Sequence, residues 1–198
     1  MTNVGDEPVI GLVCCAAGGV EHVRERFVLP ALTRGWRVAV TLTPVAATWL
    51  RANGEVDRLA EVTGYPVRWE RRLPWEESPH PPISCYAVVP ASANTVARLA
   101  LGLTDNQALT QVCEAIGGRR TPVVVFPRIN AAHAGQPAWE THLDALRRAG
   151  VRLVYGEQVW PLYPPRTARP DRELPWDAIL AAVADALPTN GGIRIEAR

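Results

Sequence analysis

The sequence predicts an α/β fold in three layers, a parallel sheet covered by helices on both faces. Short apolar runs rich in β-branched residues recur along the chain, and amphipathic stretches with helical spacing separate them. That alternation of strand and helix signals is the pattern of a parallel sheet with crossover helices. The length, 198 residues, suits one compact unit, so residues 1–198 are read as a single domain.

Taken in order, Pro8–Cys14 (PVIGLVC) reads as a short buried strand. Val20–Arg34 has helical spacing through Val23, Phe27, Leu29 and Leu32. Trp36–Thr43 (WRVAVTLT) is the second strand, and Val45–Ala52 with Val56–Thr63 form a helix and a half, broken at Asn53-Gly54. Tyr65–Trp69 is a weak strand. Leu73–Pro82 (LPWEESPHPP) holds four prolines and excludes a regular element. Ser84–Val89 is a central strand that Pro90 is expected to stop. Asn94–Gly102 and Gln107–Gly117 read as helices, Thr121–Phe126 as a buried strand, Gln136–Ala149 as a helix and Val151–Tyr155 as a strand. A second proline-rich segment, 159–175, leads to a closing helix at Trp176–Leu187, and the tail 188–198 is expected to fray.

Composition removes several classes of function. The formal net charge is +1, which gives no basic field for nucleic acid or for an anionic membrane. Every basic side chain is Arg, so Schiff-base lysine chemistry is excluded. Cys14, Cys15, Cys85 and Cys113 show no CxxC pair and no metal-ligand spacing with His. They read as buried, reduced thiols of a cytoplasmic protein, with no metal expected. No basic n-region opens the N-terminus, and no apolar run reaches the ~20 residues of a membrane span.

In a parallel sheet, ligands bind where loops leave the carboxyl ends of the strands. Cys15–Gly19, Thr43–Val45, Pro90–Thr95 and Pro127–Asn130 all fall on that edge. CCAAGG offers small side chains and helix N–H groups that suit a phosphate, although a tight turn explains it equally well. Thr43 before Pro44 is a helix cap that also has a hydroxyl to offer a phosphate. PASANT places Ser92, Asn94 and Thr95 ahead of a helix, more hydrogen-bonding side chains than one cap requires. A flat heteroaromatic ring with polar edges would use them.

The stretch PASANTVARLALGLTDNQ resembles PxSANTxxKxAxGxxDN, the signature of the homo-oligomeric flavin-containing cysteine decarboxylase family. FPRINAAH resembles that family's second motif, PxMNxxM. The resemblance implies a Rossmann-like, flavodoxin-like fold. It also implies bound FMN, with FAD the less suited alternative, and assembly as a homotrimer or homododecamer. Carried over by position, Ala16, Ala17 and Gly18 hold the phosphate loop beside Thr43 and Pro44. Ser92, Ala93, Asn94, Thr95 and Arg128 contact the flavin. Asn130 binds the substrate carboxylate, and His133 lines the substrate pocket.

The family's catalytic histidine lies upstream of PASANT, where His80 is the histidine available, closer to the motif than usual. Ile129 and His133 stand where the family has methionines. Enzymes of the family that act on phosphopantothenoylcysteine use a late flap cysteine to reduce their enethiol. This chain has no cysteine after Cys113. The implied activity is therefore oxidative decarboxylation of a peptide's C-terminal cysteine, or of a small thiol-carboxylate, to an enethiol. Segment 159–175 is either a flap over that substrate or a surface connection. The alternatives are a flavin-binding protein or synthase subunit without decarboxylase activity, a phosphopantothenoylcysteine decarboxylase-like enzyme, and a flavin prenyltransferase-like enzyme.

Overall fold

The computed structural model describes residues 7–167 and 172–188. Its centre is a five-stranded parallel sheet of β1 (Val9–Cys14), β2 (Arg37–Leu42), β3 (Cys85–Ala91), β4 (Val123–Pro127) and β5 (Arg152–Leu153), in the order β2-β1-β3-β4-β5. This is the order of flavodoxin-like sheets, whose switch point lies between β1 and β3. The expected fold class is the one observed.

Alternation along the strands sends successive side chains to opposite faces. Ile10, Leu12, Val38, Val40 and Leu42 pack on one face against Phe27, Leu50, Leu59 and Ile179. Those partners come from the segment after β1, from α2 (Pro44–Ala52) and α3 (Glu55–Thr63), and from the closing helix α8 (Trp176–Ala186). Val13, Val88 and Val125 face the other way, against Val96, Leu109 and Leu143. These belong to α4 (Ala93–Leu101), α5 (Gln107–Gly118) and α7 (Trp139–Arg148).

Four details differ from the sequence reading. The helix expected at Val20–Arg34 is split into a 3-10 turn (Val20–His22), a π-helical stretch (Arg24–Val28) and the short α1 (Leu29–Thr33). Tyr65–Trp69 forms a single bridge, Thr41 to Arg68, rather than a strand. The strand expected at Val151–Tyr155 keeps two residues. Pro90 does not stop β3, which runs on to Ala91. The register with β4 shifts between Val88 and Ala91, so the missing proline N–H breaks no regular ladder.

On the α4–α5–α7 face, β1 and β2 present Gly11, Ala39 and Thr41, and the irregular segment 66–83 lies there in place of a helix. Among the described residues no helix is long and apolar enough to cross a membrane, and no group of His, Cys, Asp and Glu is placed to hold a metal ion.

Candidate functional site

The first loop leaves β1 at the switch point and is tied to β3 at once, because the Cys15 N–H donates to the Pro90 carbonyl at 3.1 Å. Ala17 N donates back to the Cys15 carbonyl at 2.8 Å, closing a tight turn. Gly19 adopts φ +96°, and a Cβ there would lie 2.6 Å from Leu174, so only glycine fits. The N–H groups of Ala16 and Gly18 take no partner among the described residues. A loop of small side chains with free amides is what an anion requires.

Thr43 and Ser92 are the N-caps of α2 and α4, Thr43 as its position before Pro44 predicts. Thr43 Oγ1 accepts from Ala46 N at 3.4 Å, with Pro44 opening the helix. Ser92 Oγ accepts from Thr95 N at 3.3 Å. The Ser92 hydroxyl also donates to Thr95 Oγ1 at 3.2 Å, and the buried Cys15 thiol donates to the same oxygen at 3.1 Å. Thr95 is thus committed to the frame, while Asn94 is exposed. Burial raises the Cys15 pKa, against hydrogen bonds to Thr95 and Ser92 that lower it, so the thiol stays protonated.

These residues converge on one cleft of about 420 Å³, lined by Ala16, Thr43, Pro44, Ser92, Asn94 and Thr95. Three loops from adjacent strands supply its near wall. The far rim comes from the α4–α5 connection, where Arg98 pairs with Asp105 and Asn106 caps α5 by accepting from Leu109 N at 3.0 Å. Arg98, Asp105 and Asn106 were not singled out in the sequence reading. The signal was present, since they occupy the lysine and the DN of the first motif. Ala17 and Ala93 share these loops but do not line the cleft.

Arg128 lies on the other side of the first loop, in a second cleft of about 440 Å³ that it lines with Gly18, Glu21 and Arg172. A Cβ on Gly18 would sit 3.6 Å from the Arg128 guanidinium. Arg128 stacks 5.2 Å from the ring centre of Trp160, and Arg172 lies over the same ring at 3.4 Å. Burial lowers the Arg128 pKa, Arg172 adds to this, and Glu21 opposes it. Arg128 Nε and Trp160 Nε1 are both buried with no hydrogen-bond partner among the described residues. Two buried, unpaired donors beside a guanidinium pair mark a place for an anion.

Trp160 itself belongs to the core. It is 3 % exposed and packs edge-on against Phe126 at 5.8 Å. The Tyr163 carbonyl accepts from Ala131 N at 2.9 Å, so the proline-rich segment is fastened to the end of β4 at two points. Trp160 therefore anchors this segment, and residues 168–171 of it lie outside the described residues, as does the tail beyond 188. Asn130 caps the short α6 (Ala131–Ala134), accepting from His133 N at 3.0 Å and leaving its amide N–H₂ available. His133 is exposed.

His80 is not brought to either cleft. Its Nε2 lies 2.7 Å from the Pro66 carbonyl, and it lines a third cavity on the sheet face over β1 and β2. Burial lowers its pKa, the Pro66 carbonyl opposes that, and Arg68 adds to the lowering, so the ring is neutral at pH 7.

The fold has counterparts among solved structures. The FMN-dependent cysteine decarboxylase TvaF from thioviridamide biosynthesis superposes with a TM-score of 0.63 at 23 % identity, covering 90 % of this chain and 97 % of that one. The peptidyl-cysteine decarboxylase EpiD superposes with a TM-score of 0.58 at 19 % identity, covering 89 % and 99 %. A cysteine/cysteine sulfinic acid decarboxylase from an unknown prokaryotic organism is 32 % identical over 69 residues, which is 35 % of this chain and 18 % of that protein. The chain thus spans under a fifth of that relative's length. Residues 4–186 match the Flavoprotein family, in keeping with the reading of PASANT and FPRINAAH, and this chain belongs to that family.

Proposed function

We propose that the chain binds FMN and oxidatively decarboxylates the C-terminal cysteine of a peptide, leaving an enethiol, and that it does so as a homotrimer or homododecamer. The observation that carries this reading is the convergence of Ala16, Thr43, Ser92 and Asn94 on one cleft at the β1/β3 switch point. The descriptions of TvaF as FMN-dependent and of EpiD as a peptidyl-cysteine decarboxylase support it.

The donor set fits a flavin mononucleotide. Free amides in the first loop and the N-terminal ends of α2 and α4 suit a single terminal phosphate. The exposed Asn94 amide offers both a donor and an acceptor to a polar ring edge. When bound, FMN supplies the two-electron acceptor that no side chain here provides. In this reading Arg128 and Asn130, which follow β4, hold the substrate carboxylate, Asn130 through the N–H₂ that its capping bond leaves free. Val45 and Trp49 of α2, Leu101 of α4 and Leu103 after it are exposed on segments that also supply cleft residues, which supports contact with further copies.

Incubation of the flavin-loaded protein with a cysteine-ended peptide tests the reading. A mass loss of one CO₂ and two hydrogens is expected, and an unchanged peptide mass contradicts it for that peptide. One observation favours a second reading, a flavin-binding protein without decarboxylase activity: the histidine the family implies as base sits in a separate cavity with Nε2 already engaged. The peptide mass separates the two, and His80→Asn tests the histidine itself: undiminished turnover by this variant removes His80 from the mechanism.

A further inference from the structure

The cavity over β1 and β2 has the construction of a ligand site. Its floor is Gly11, Ala39 and Thr41, where the opposite face of the same strands carries Ile10, Leu12, Val38 and Val40. Tyr86 forms one wall, close enough that a Cβ on Gly11 would lie 2.6 Å from its ring. Pro81, Pro82 and Ile83 close another, and the volume is about 410 Å³. Small residues on this strand face leave room that Tyr86 and Ile83 close over Gly11, and Gln111 of α5 also lines the cavity.

Two polar groups point to what fills it. Arg68 is pinned beside Thr41 by its backbone, donating to Val40 O at 3.0 Å and accepting from Leu42 N at 2.7 Å. Its side chain lines the cavity, and Nη2 is buried with no hydrogen-bond partner among the described residues. Thr41 lines the same cavity at 1 % exposure. A buried, unpaired guanidinium donor carries a desolvation cost that an oxyanion would offset.

We propose that this cavity binds a small organic monocarboxylate, with the carboxylate on Arg68 and Thr41 and the apolar body between Tyr86 and the prolines. The lining favours this over phosphate. The one guanidinium matches a single negative charge, and Pro81, Pro82, Ile83 and Tyr86 offer an apolar wall beside the polar Ser78, His80 and Gln111, as in pockets where polar groups orient an apolar ligand. The site shares no lining residue with the cleft at the β1/β3 switch point. The proposal therefore does not rest on the decarboxylase reading.

Calorimetric titration of the full chain with benzoate, hexanoate and inorganic phosphate tests it. Benzoate or hexanoate is expected to bind once per chain, more tightly than phosphate. Arg68→Met and Thr41→Val are each expected to weaken that binding at least tenfold, and Arg128→Met to leave it unchanged. Melting curves check that each variant folds; Thr41→Val, close in shape to the native residue, serves where Arg68→Met does not. Absence of binding by both carboxylates, phosphate binding at least as tight, or indifference to both cavity variants overturns the proposal. So does weakening by Arg128→Met alone, which places the anion in the other cleft.

Discussion

The Cys15 thiol donates to the Thr95 hydroxyl at 3.1 Å, joining the loop after β1 to the first turn of α4 across 80 residues of sequence. Ser92 donates to the same oxygen, so one buried hydroxyl holds together the two loops that form the cleft. Thr95→Val leaves a thiol and a hydroxyl without their acceptor. We expect a loss of about 1–2 kcal/mol in urea unfolding, together with weaker FMN binding. Unchanged stability would show that this junction does not hold the loops.

Asn94 and Ser92 separate cofactor contact from framework. Ser92 caps α4, so Ser92→Ala is expected to cost about 1 kcal/mol of stability. Asn94 is exposed and lines the cleft. Asn94→Ala should leave the melting temperature in place and weaken FMN binding tenfold or more, as read by fluorescence titration. Equal FMN affinity in Asn94→Ala and the native chain removes Asn94 from the site.

Glu55 ties the π-helical stretch to α3 by accepting from Arg24 Nε at 2.9 Å and from Arg58 Nη1 at 2.7 Å. Burial pushes its carboxyl up, but the two guanidiniums outweigh this and the net shift is downward. A depressed carboxyl contributes stability above its unfolded pKa and loses it as pH falls through the folded one. Glu55→Gln should therefore cost about 2 kcal/mol at pH 7, and the gap to the native chain should close below about pH 4. A gap that stays constant from pH 7 to pH 3 contradicts the ion-pair account.

Three of the four thiols are buried. Burial raises the Cys14 pKa well above the usual value and pushes Cys85 up to about 12. A thiol-disulfide reagent is expected to titrate one group, Cys113, in the native chain and four in denaturant. Rapid native reaction of two or more groups means that the first loop opens.

The fold was legible because apolar runs and helical spacing alternate, and the Thr43 cap because Thr43-Pro44 stands directly before a helix; the sequence leaves open which residue of PASANT caps α4, and the structure shows Ser92. Local chemistry decides those positions. The surroundings of His80 were not legible because its position before PASANT in sequence says nothing about where a proline-rich loop folds; this one lies over the sheet face and brings His80 to Pro66. The core position of Trp160 was not legible because its segment has no periodicity to announce it, yet contact with Phe126 buries it. Arg98, Asp105 and Asn106 reach the cleft through the return from α4 to α5, a tertiary feature that only their motif positions signalled. The small residues at 11, 39 and 41 alternate with large ones, a pattern visible in the sequence whose meaning needed the sheet.

The most direct test of the account is the absorption spectrum of the purified chain after mixing with FMN and gel filtration. A flavin spectrum at one FMN per chain, weakened in Asn94→Ala, is the predicted result. A chain that emerges colourless, with all FMN in the small-molecule fraction, contradicts the assignment of the cleft at Ala16, Thr43, Ser92 and Asn94.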